Sequence, residues 1–531
     1  MKHIKHFFIY LFFSITILIS YIYLSNFWIL CPEVSITQAY LELPILIIFF
    51  IILYFPIKNI FKSTLFAITP ILLLYVLFDG FYFFLKRSPR VSDCKNILLV
   101  TDFSPIFTII LLVSIIMIIT PFILLVIEFY KKSTKSVFYF MLTIKILALI
   151  SFCLYLHQAK LNDYILKNFI YLDWSQSRTI KKNGRFTSFV YYNKISQISY
   201  KKVKSYRDSK LNINKLIFGN YSIKKKKNIY IVVLESFIDP RLLKCIKYNR
   251  SPISKDLEFY LQGKGFSNVI SPIYGGGTAQ AEFEILTGIR ALAKVDTVEF
   301  NTLMGNQISG FTNILAKENY QRYATIATNS NYFNSKSAYK SIGFNNLTFL
   351  EEVEDYHHKK DDDVIFDGDM FDYNIKKIKK LSKKNKPYIF YSLGMYGHIP
   401  YIRNKVARKD KIYNCSTNDN RVDRIGTQFY YRTKALAKYI KQILEIDPHS
   451  IIYITSDHIP PILNGGIEYK KSKFTNISLL LVDGKNIKID GLNYYQVPRY
   501  IWHILTNKNI KDINQSQEEK IYFKSLSESF M

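Results

Sequence analysis

The sequence predicts a bundle of about five transmembrane helices followed by an extracytoplasmic α/β domain, with a mostly parallel sheet covered by helices on both faces. Three observations carry this. The first third of the 531 residues is dense in Ile, Leu and Phe, whereas the rest is rich in Lys, Asn and Tyr. Within the apolar third, Lys and Arg collect mainly in alternate short loops. Beyond it, short apolar runs alternate with stretches of helical periodicity.

A spanning helix needs roughly 20 predominantly apolar residues. Five stretches meet this: Phe7 to Leu24, the shorter Leu41 to Ile57, Ser63 to Leu85, Ile106 to Ile127 and Val137 to Leu156. The first is too long for a signal peptide and no small-residue cleavage site follows it, so it reads as a retained span. Asp79 lies toward one end of the third, where an interfacial position is a simpler reading than a functional intramembrane charge. Lys145, in the fifth, has a stem long enough to snorkel to the near interface.

If the five stretches cross in turn, Lys2, Lys5, Lys58, Lys62, Lys131, Lys132 and Lys135 share one side, and that side is cytoplasmic. The loop from Asn26 to Tyr40 has no Lys or Arg and fits outside; the loop with Lys86, Arg87, Arg90 and Lys95 departs from the rule. Everything after Leu156 is then outside the cell (inner) membrane. The expected organisation is a transmembrane domain over 1–157, a juxtamembrane connector over 158–227 and an extracytoplasmic α/β domain over 228–531. The connector is polar and Tyr-rich and ends in the run Lys224 to Lys227. That run reads equally as a patch for anionic lipid head groups or as a solvated linker.

Lys and Arg number 71 against 41 Asp and Glu, a formal net charge of +30. The basic residues are spread along the chain and no nucleic-acid motif accompanies them, so no nucleic-acid partner is expected. A bilayer with anionic head groups is the better match, beside the plain alternative of solvated Lys faces. The five Cys (Cys31, Cys94, Cys153, Cys245, Cys415) show no CxxC spacing, which excludes a zinc ribbon or a redox motif. Cys31 and Cys94 fall in loops on one side, where a bridge could form.

In the polar two-thirds, Asn228 to Leu234, Pro387 to Leu393 and Ser450 to Thr455 read as buried strands, with helical patterns such as Thr278 to Leu286 and Thr427 to Leu444 between them. Sites in open α/β sheets form beyond the carboxyl ends of strands. Glu235, the pair Asp457-His458, and His398 stand at such ends; singly, each reads as readily as a turn or cap residue. Tyr274-Gly275-Gly276-Gly277-Thr278 forms a sharp glycine turn before a helix. A hydroxyl at that helix start faces free N–H groups and the positive end of the dipole, which favours an alkoxide and an incoming phosphate. The alternative is that Thr278 is only an N-cap. Asp361 to Asp363, beside His357 and His358, could form a metal cluster but read more simply as a solvated loop.

Together these pieces resemble a known family. LESF at Leu234 to Phe237, YGGGTAQAEFEILTG at Tyr274 to Gly288, GHIPY at Gly397 to Tyr401 and SDH at Ser456 to His458 look like lipoteichoic acid synthase and its phosphoglycerol transferase relatives, in the alkaline phosphatase/sulfatase superfamily. DGDMFDYNIKKI at Asp367 to Ile378 looks like that family's acidic segment before a helix. The resemblance implies an alkaline phosphatase/sulfatase-like fold and one divalent metal held by Glu235, Thr278, Asp457 and His458. Thr278 would also be the nucleophile, and His398 would bind the substrate phosphate or glycerol. Three oxygens and one imidazole suit Mn²⁺, Zn²⁺ or Mg²⁺; the family favours Mn²⁺.

The implied reaction moves phosphoglycerol from a phospholipid donor, phosphatidylglycerol, through a phosphothreonine to a hydroxyl of a glycan or polymer acceptor. The chain departs from the family where a histidine and a Trp-Asn-Arg group are expected. Here stand Ala327-Thr328-Asn329-Ser330 and Tyr332-Phe333-Asn334-Ser335, with Lys336 the conceivable replacement for the arginine. A lysine does not reproduce bidentate phosphate recognition. The alternatives on the same fold are phosphoethanolamine transfer and phosphodiester or sulfate-ester hydrolysis. A non-catalytic membrane sensor is the third.

Overall fold

The computed structural model describes residues 2–25, 42–53, 60–85, 88–89, scattered positions between 112 and 131, 135–156, 159–170, 176–194, 213–290, 308–330, 335–354 with 356, 364–398, 412–462 except 418, and 467–508. The chain divides into two compact units, Met1–Gln197 and Ile198–Met531.

The first unit is helical: Lys2–Ser25, Glu42–Leu53, Ile60–Leu85, Lys135–Leu156, Ala159–Asn168 and Gln176–Asn183, then a helical segment 185–194. Leu18, Phe50, Ile68, Ile71 and Tyr75 form its apolar contact. Much of its apolar surface faces outward, with Phe12 67% and Leu154 65% exposed. Among the described residues no helix is long and apolar enough to cross a membrane, so the five-span bundle is not established by the helices themselves. Cys31, Cys94, the Asp361–Asp363 run, His357 and His358 lie outside the described residues.

Two charges of this unit have defined partners. Asp79 is buried: its Oδ1 pairs with Arg185 Nε at 2.6 Å, and its Oδ2 accepts from Tyr21 Oη at 2.9 Å and from Ser25. A charge cannot remain buried without such partners. Lys145 Nζ donates to the Ile52 carbonyl at 2.7 Å. That carbonyl is in the last turn of Glu42–Leu53, where oxygens lack intrahelical donors and the dipole favours a cation.

The second unit is built on an eight-stranded sheet: β1 Ile229–Leu234, β2 Ser267–Ile270, β3 Gln321–Ile326, β4 Asn346–Phe349, β5 Tyr388–Gly394, β6 Ile451–Ser456, β7 Thr475–Val482 and β8 Lys485–Ile487. Its order is β2-β7-β6-β1-β5-β3-β4, with β8 beside β7. The five strands β6, β1, β5, β3 and β4 are parallel, whereas β7 runs antiparallel to β6, and β2 and β8 antiparallel to β7. The expected mostly parallel sheet is thus a mixed one. Central strands β1, β5 and β6 are buried along their whole length, which is why they read as unbroken apolar runs.

Helices cover both faces. On β5, Tyr391 reaches Glu282 of the helix Thr278–Thr287, while the next residue, Ser392, bonds to Asn374 of the helix Asp367–Leu381. Successive strand residues point to opposite faces, so these helices lie on opposite sides. The helix Asn420–Ile446 packs beside Asp367–Leu381, and Gln496–Thr506 beside Thr278–Thr287.

Candidate active site and metal centre

Register places the site. Leu234 at the end of β1 is level with Gly394 of β5 and Ser456 of β6. The next residues, Glu235 and Asp457, therefore leave one rim of the sheet side by side. Glu235 N still bonds to Gly394 O at 2.8 Å, which carries strand geometry one residue further. Ser236 then turns the chain with φ 51°, an unusual value for a residue with a Cβ.

The three glycines do what only glycine does cheaply. Gly275, Gly276 and Gly277 have φ of 74°, 157° and 84°. Gly275 N holds the loop to Ile459 O at 3.0 Å, just past His458. Gly277 occupies the N-cap position, so Thr278 is the first helical residue and not the cap. Its hydroxyl is free for other work: Oγ1 lies 2.7 Å from Asp457 Oδ2 and 3.2 Å from Glu235 Oε2.

His458 completes the cluster, with Nε2 3.2 Å from Asp457 Oδ2 and 3.4 Å from Glu235 Oε1. Its Nδ1 faces the Ile459 carbonyl at 3.2 Å, a contact that a proton on Nδ1 satisfies and that turns Nε2 toward the two carboxylates. Ligand atoms of Glu235, Asp457 and His458 all lie within 4.8 Å of one another, and all three residues are buried. Burial first, and the Glu235 carboxylate next, push Asp457 above the usual carboxylate range. Two buried carboxylates converge here with one imidazole nitrogen and one hydroxyl. This donor set fits a first-row divalent cation.

The structure brings together four of the five residues singled out from sequence. The fifth, His398, follows β5 on the same rim, its N bonded to Met395 O at 3.0 Å. The neighbouring Gly397 is pressed on the Glu235 backbone: a Cβ there would lie 2.0 Å from Glu235 O. Lys336 is exposed at the start of the helix Ser335–Ile342.

Several residues that build the site escaped sequence reading. Ser236 N and His458 N both donate to Asp457 Oδ1, at 2.8 and 2.7 Å, and fix the carboxylate plane. Ser236 Oγ donates to Glu235 Oε1 at 2.9 Å, and Ser456 Oγ accepts from Phe237 N at 2.8 Å. Glu282, one turn after Thr278, is buried and accepts from Tyr391 Oη at 2.6 Å and from Tyr339. Burial raises Glu282 to about 8, with the two phenols pulling the other way. Its place inside the apolar AEFEILTG string was the available signal.

A carboxyl raised in the folded state lends stability that is present below its ordinary value and lost as pH rises through the raised one. The Glu282→Gln variant is therefore expected to gain in melting temperature relative to wild type as pH increases from about 7 to about 9. A difference independent of pH across that window would contradict it.

The Sulfatase family model matches residues 227–486. A protein of Rhizobium meliloti (strain 1021) named for cyclic beta-1,2-glucan modification is 26% identical over 243 residues, covering 45% of this chain and 36% of that protein. The match thus spans little more than a third of that relative. Among solved structures, the lipoteichoic acid synthase LtaP from Listeria monocytogenes superposes with a TM-score of 0.42 at 15% identity, over 57% of this chain and 79% of that one. The Streptococcus pyogenes phosphoglycerol transferase GacH in complex with sn-glycerol-1-phosphate gives 0.43 at 16% identity, over 64% and 92%. Residues 227–486 hold the whole sheet save the last residue of β8, together with Glu235, Thr278, Asp457 and His458, and by that match this stretch of the chain is a domain of the sulfatase family.

Proposed function

We propose that the protein is a membrane-bound, metal-dependent phosphoglycerol transferase. The observation that carries this is the Thr278 hydroxyl, at a helix N-terminus, bonded to Asp457 Oδ2 at 2.7 Å. A hydroxyl so placed has a proton acceptor beside it and stands at the positive end of a helix dipole, which suits attack on a phosphodiester. Thr278 Oγ1 forms a bond to phosphorus as the bond to the diacylglycerol oxygen breaks, and Asp457 Oδ2 stands where the hydroxyl proton leaves. An acceptor hydroxyl then takes the phosphoglycerol group from the phosphothreonine and regenerates Thr278.

Glu235, Thr278, Asp457 and His458 would hold the metal, Mn²⁺ by preference. When bound, that ion supplies Lewis-acid stabilisation of charge on the phosphoryl oxygens. His398, on the same rim, would contact the phosphate or glycerol. The donor is phosphatidylglycerol, and the acceptor a surface glycan or polymer; the name of the Rhizobium relative supports a glucan.

The apolar faces of the first unit support a bilayer as their surroundings, because exposed Phe8, Phe12, Phe13, Ile48, Ile51, Leu77, Ile116, Phe140, Leu147 and Leu154 would otherwise contact water. The membrane reading keeps the first unit in the bilayer, the N-terminus inside and the catalytic domain outside. Incubation with head-group-labelled phosphatidylglycerol, followed by mass spectrometry of the Thr278 peptide, tests the donor. A phosphoglycerol adduct supports the reading. An ethanolamine adduct from phosphatidylethanolamine in its place, or no adduct with either lipid, defeats it.

The cation that recognises the anionic donor would come from Lys473 rather than Lys336. Its exposed Nζ stands 5.1 Å from the Tyr274 ring, on the loop that leads through the glycines to Thr278. That segment is tied to the site, since Ser271 N bonds to Phe474 O and Ser271 Oγ to Asp457 O, both at 2.8 Å. Lys473→Ala is expected to raise KM for the lipid about tenfold, or about 1.4 kcal/mol, with kcat nearly unchanged. A normal KM in vesicles of the same lipid would return the role to Lys336.

A further inference from the structure

Beneath the site, one buried arginine joins three elements. Arg432 extends from the helix Asn420–Ile446 and is only 2% exposed. Its Nε bonds to Asp367 Oδ2 at 2.6 Å, its Nη2 to the Glu235 carbonyl at 2.9 Å, and its guanidinium carbon lies 5.0 Å from the Phe237 ring centroid. Asp367, fully buried at the start of the helix Asp367–Leu381, balances its charge.

Two glycines of the β5 exit exist to admit this pair. A Cβ on Gly394 would meet Asp367 Oδ1 at 2.4 Å. A Cβ on Gly397 would meet Arg432 Nη1 at 2.6 Å as well as Glu235 O. Gly394 O in turn receives Glu235 N at 2.8 Å. The Glu235 backbone is thus gripped at both ends, by a β5 carbonyl on its N–H and by Arg432 on its carbonyl. The grip passes through the turn that carries His398.

We infer that Arg432, held by Asp367, is a positioning residue that sets the Glu235 carboxylate and the Met395–His398 turn against Thr278. The inference rests on the reading of Glu235 as a metal ligand. A planar, five-donor guanidinium can hold a carboxylate and a carbonyl at once, whereas an ammonium reaches them only as a point charge. Arg432→Lys keeps the buried charge that Asp367 needs but loses this double hold. Gly397→Ala keeps both charges of the ion pair and crowds the Glu235 carbonyl and Arg432 Nη1 at the point where they meet.

The test uses the full chain in detergent or nanodiscs, with Mn²⁺ affinity measured from the signal of free Mn²⁺ in electron paramagnetic resonance, well below each variant's melting temperature. Both variants are expected to bind Mn²⁺ on the order of tenfold more weakly, as loss of a residue that orients a ligand does. In the transfer assay kcat falls while KM for the lipid holds. A purely structural Arg432 would lower the melting temperature and leave Mn²⁺ affinity alone. If Arg432→Lys does not fold, Gly397→Ala alone reads the same linkage. Variants that bind Mn²⁺ within twofold of wild type overturn the positioning role. Wild type that takes up no Mn²⁺ overturns the metal reading and this inference with it, and is recognised because the unmutated chain fails too.

Discussion

Thr278→Ala is expected to abolish phosphoglycerol transfer, with kcat down on the order of 10⁴-fold or more, while the protein stays folded. The loss is large because no neighbouring group can take over. Among the described residues the one side-chain hydroxyl bonded to both Asp457 Oδ2 and Glu235 Oε2 is that of Thr278. The fold survives because the helix start does not depend on that hydroxyl: Gly277 holds the N-cap position and Gln280 N bonds to Gly277 O at 2.8 Å. What is lost structurally is a hydrogen bond to a carboxylate, worth about 1.5–3 kcal/mol.

Thr278→Ser separates the two roles. It restores the oxygen at the first helical position and should recover the covalent adduct, at a reduced rate if the Thr278 methyl fixes the rotamer. Head-group transfer and mass spectrometry of the 278 peptide, run on wild type, Ser and Ala forms, give the measurement. Full transfer by the Ala form would remove Thr278 from the mechanism.

The parts of this protein that could be read from sequence share a physical property. β1, β5 and β6 are buried on both faces, so their residues are apolar without alternation and the runs are visible. β4 is a four-residue edge, NLTF, and β3 opens with Gln321 and Arg322, so neither carries that signal. Asp457-His458 and Glu235 were legible because they interrupt apolar runs at strand ends. Thr278 was legible because three glycines precede it.

Arg432 was not legible. In an amphipathic helix an arginine reads as part of the solvated face, and only the crossing of Asn420–Ile446 beneath the β1 exit buries it. Asp367 and Glu282 stood inside recognisable strings, but what they hold was hidden, since their partners Arg432, Tyr339 and Tyr391 come from distant segments. The ion pair of Asp79 was hidden because its partner, Arg185, lies outside the apolar stretches that defined its helix.

Asp457→Asn is the companion experiment, because it should remove activity and raise metal-free stability together. Backbone donors Ser236 N and His458 N hold Asp457 Oδ1, so the amide oxygen of the variant must stay there. Its NH₂ then replaces Oδ2, facing Thr278 Oγ1 and His458 Nε2. That group repels a cation and cannot accept the hydroxyl proton. Loss of several kcal/mol of charge stabilisation at the metal corresponds to kcat down on the order of 10³-fold.

In the metal-free protein the substitution relieves two carboxylates of each other. Burial, then Glu235, raises Asp457, so its contribution to stability is lost as pH climbs through the raised value. The Asn form has no such charge to lose. With chelator present it is expected to melt at or above wild type, by a margin that widens as pH rises. Adding Mn²⁺ reverses the order, because an ion that binds only the folded state adds about 2.7 kcal/mol at 100 times its dissociation constant, and only wild type binds it well. Thermal melts of the two proteins, with chelator and with Mn²⁺ at two pH values, give the four comparisons. A wild type whose melting ignores both chelator and Mn²⁺, beside an active Asn form, would mean that the Glu235, Asp457 and His458 cluster does not hold the catalytic ion.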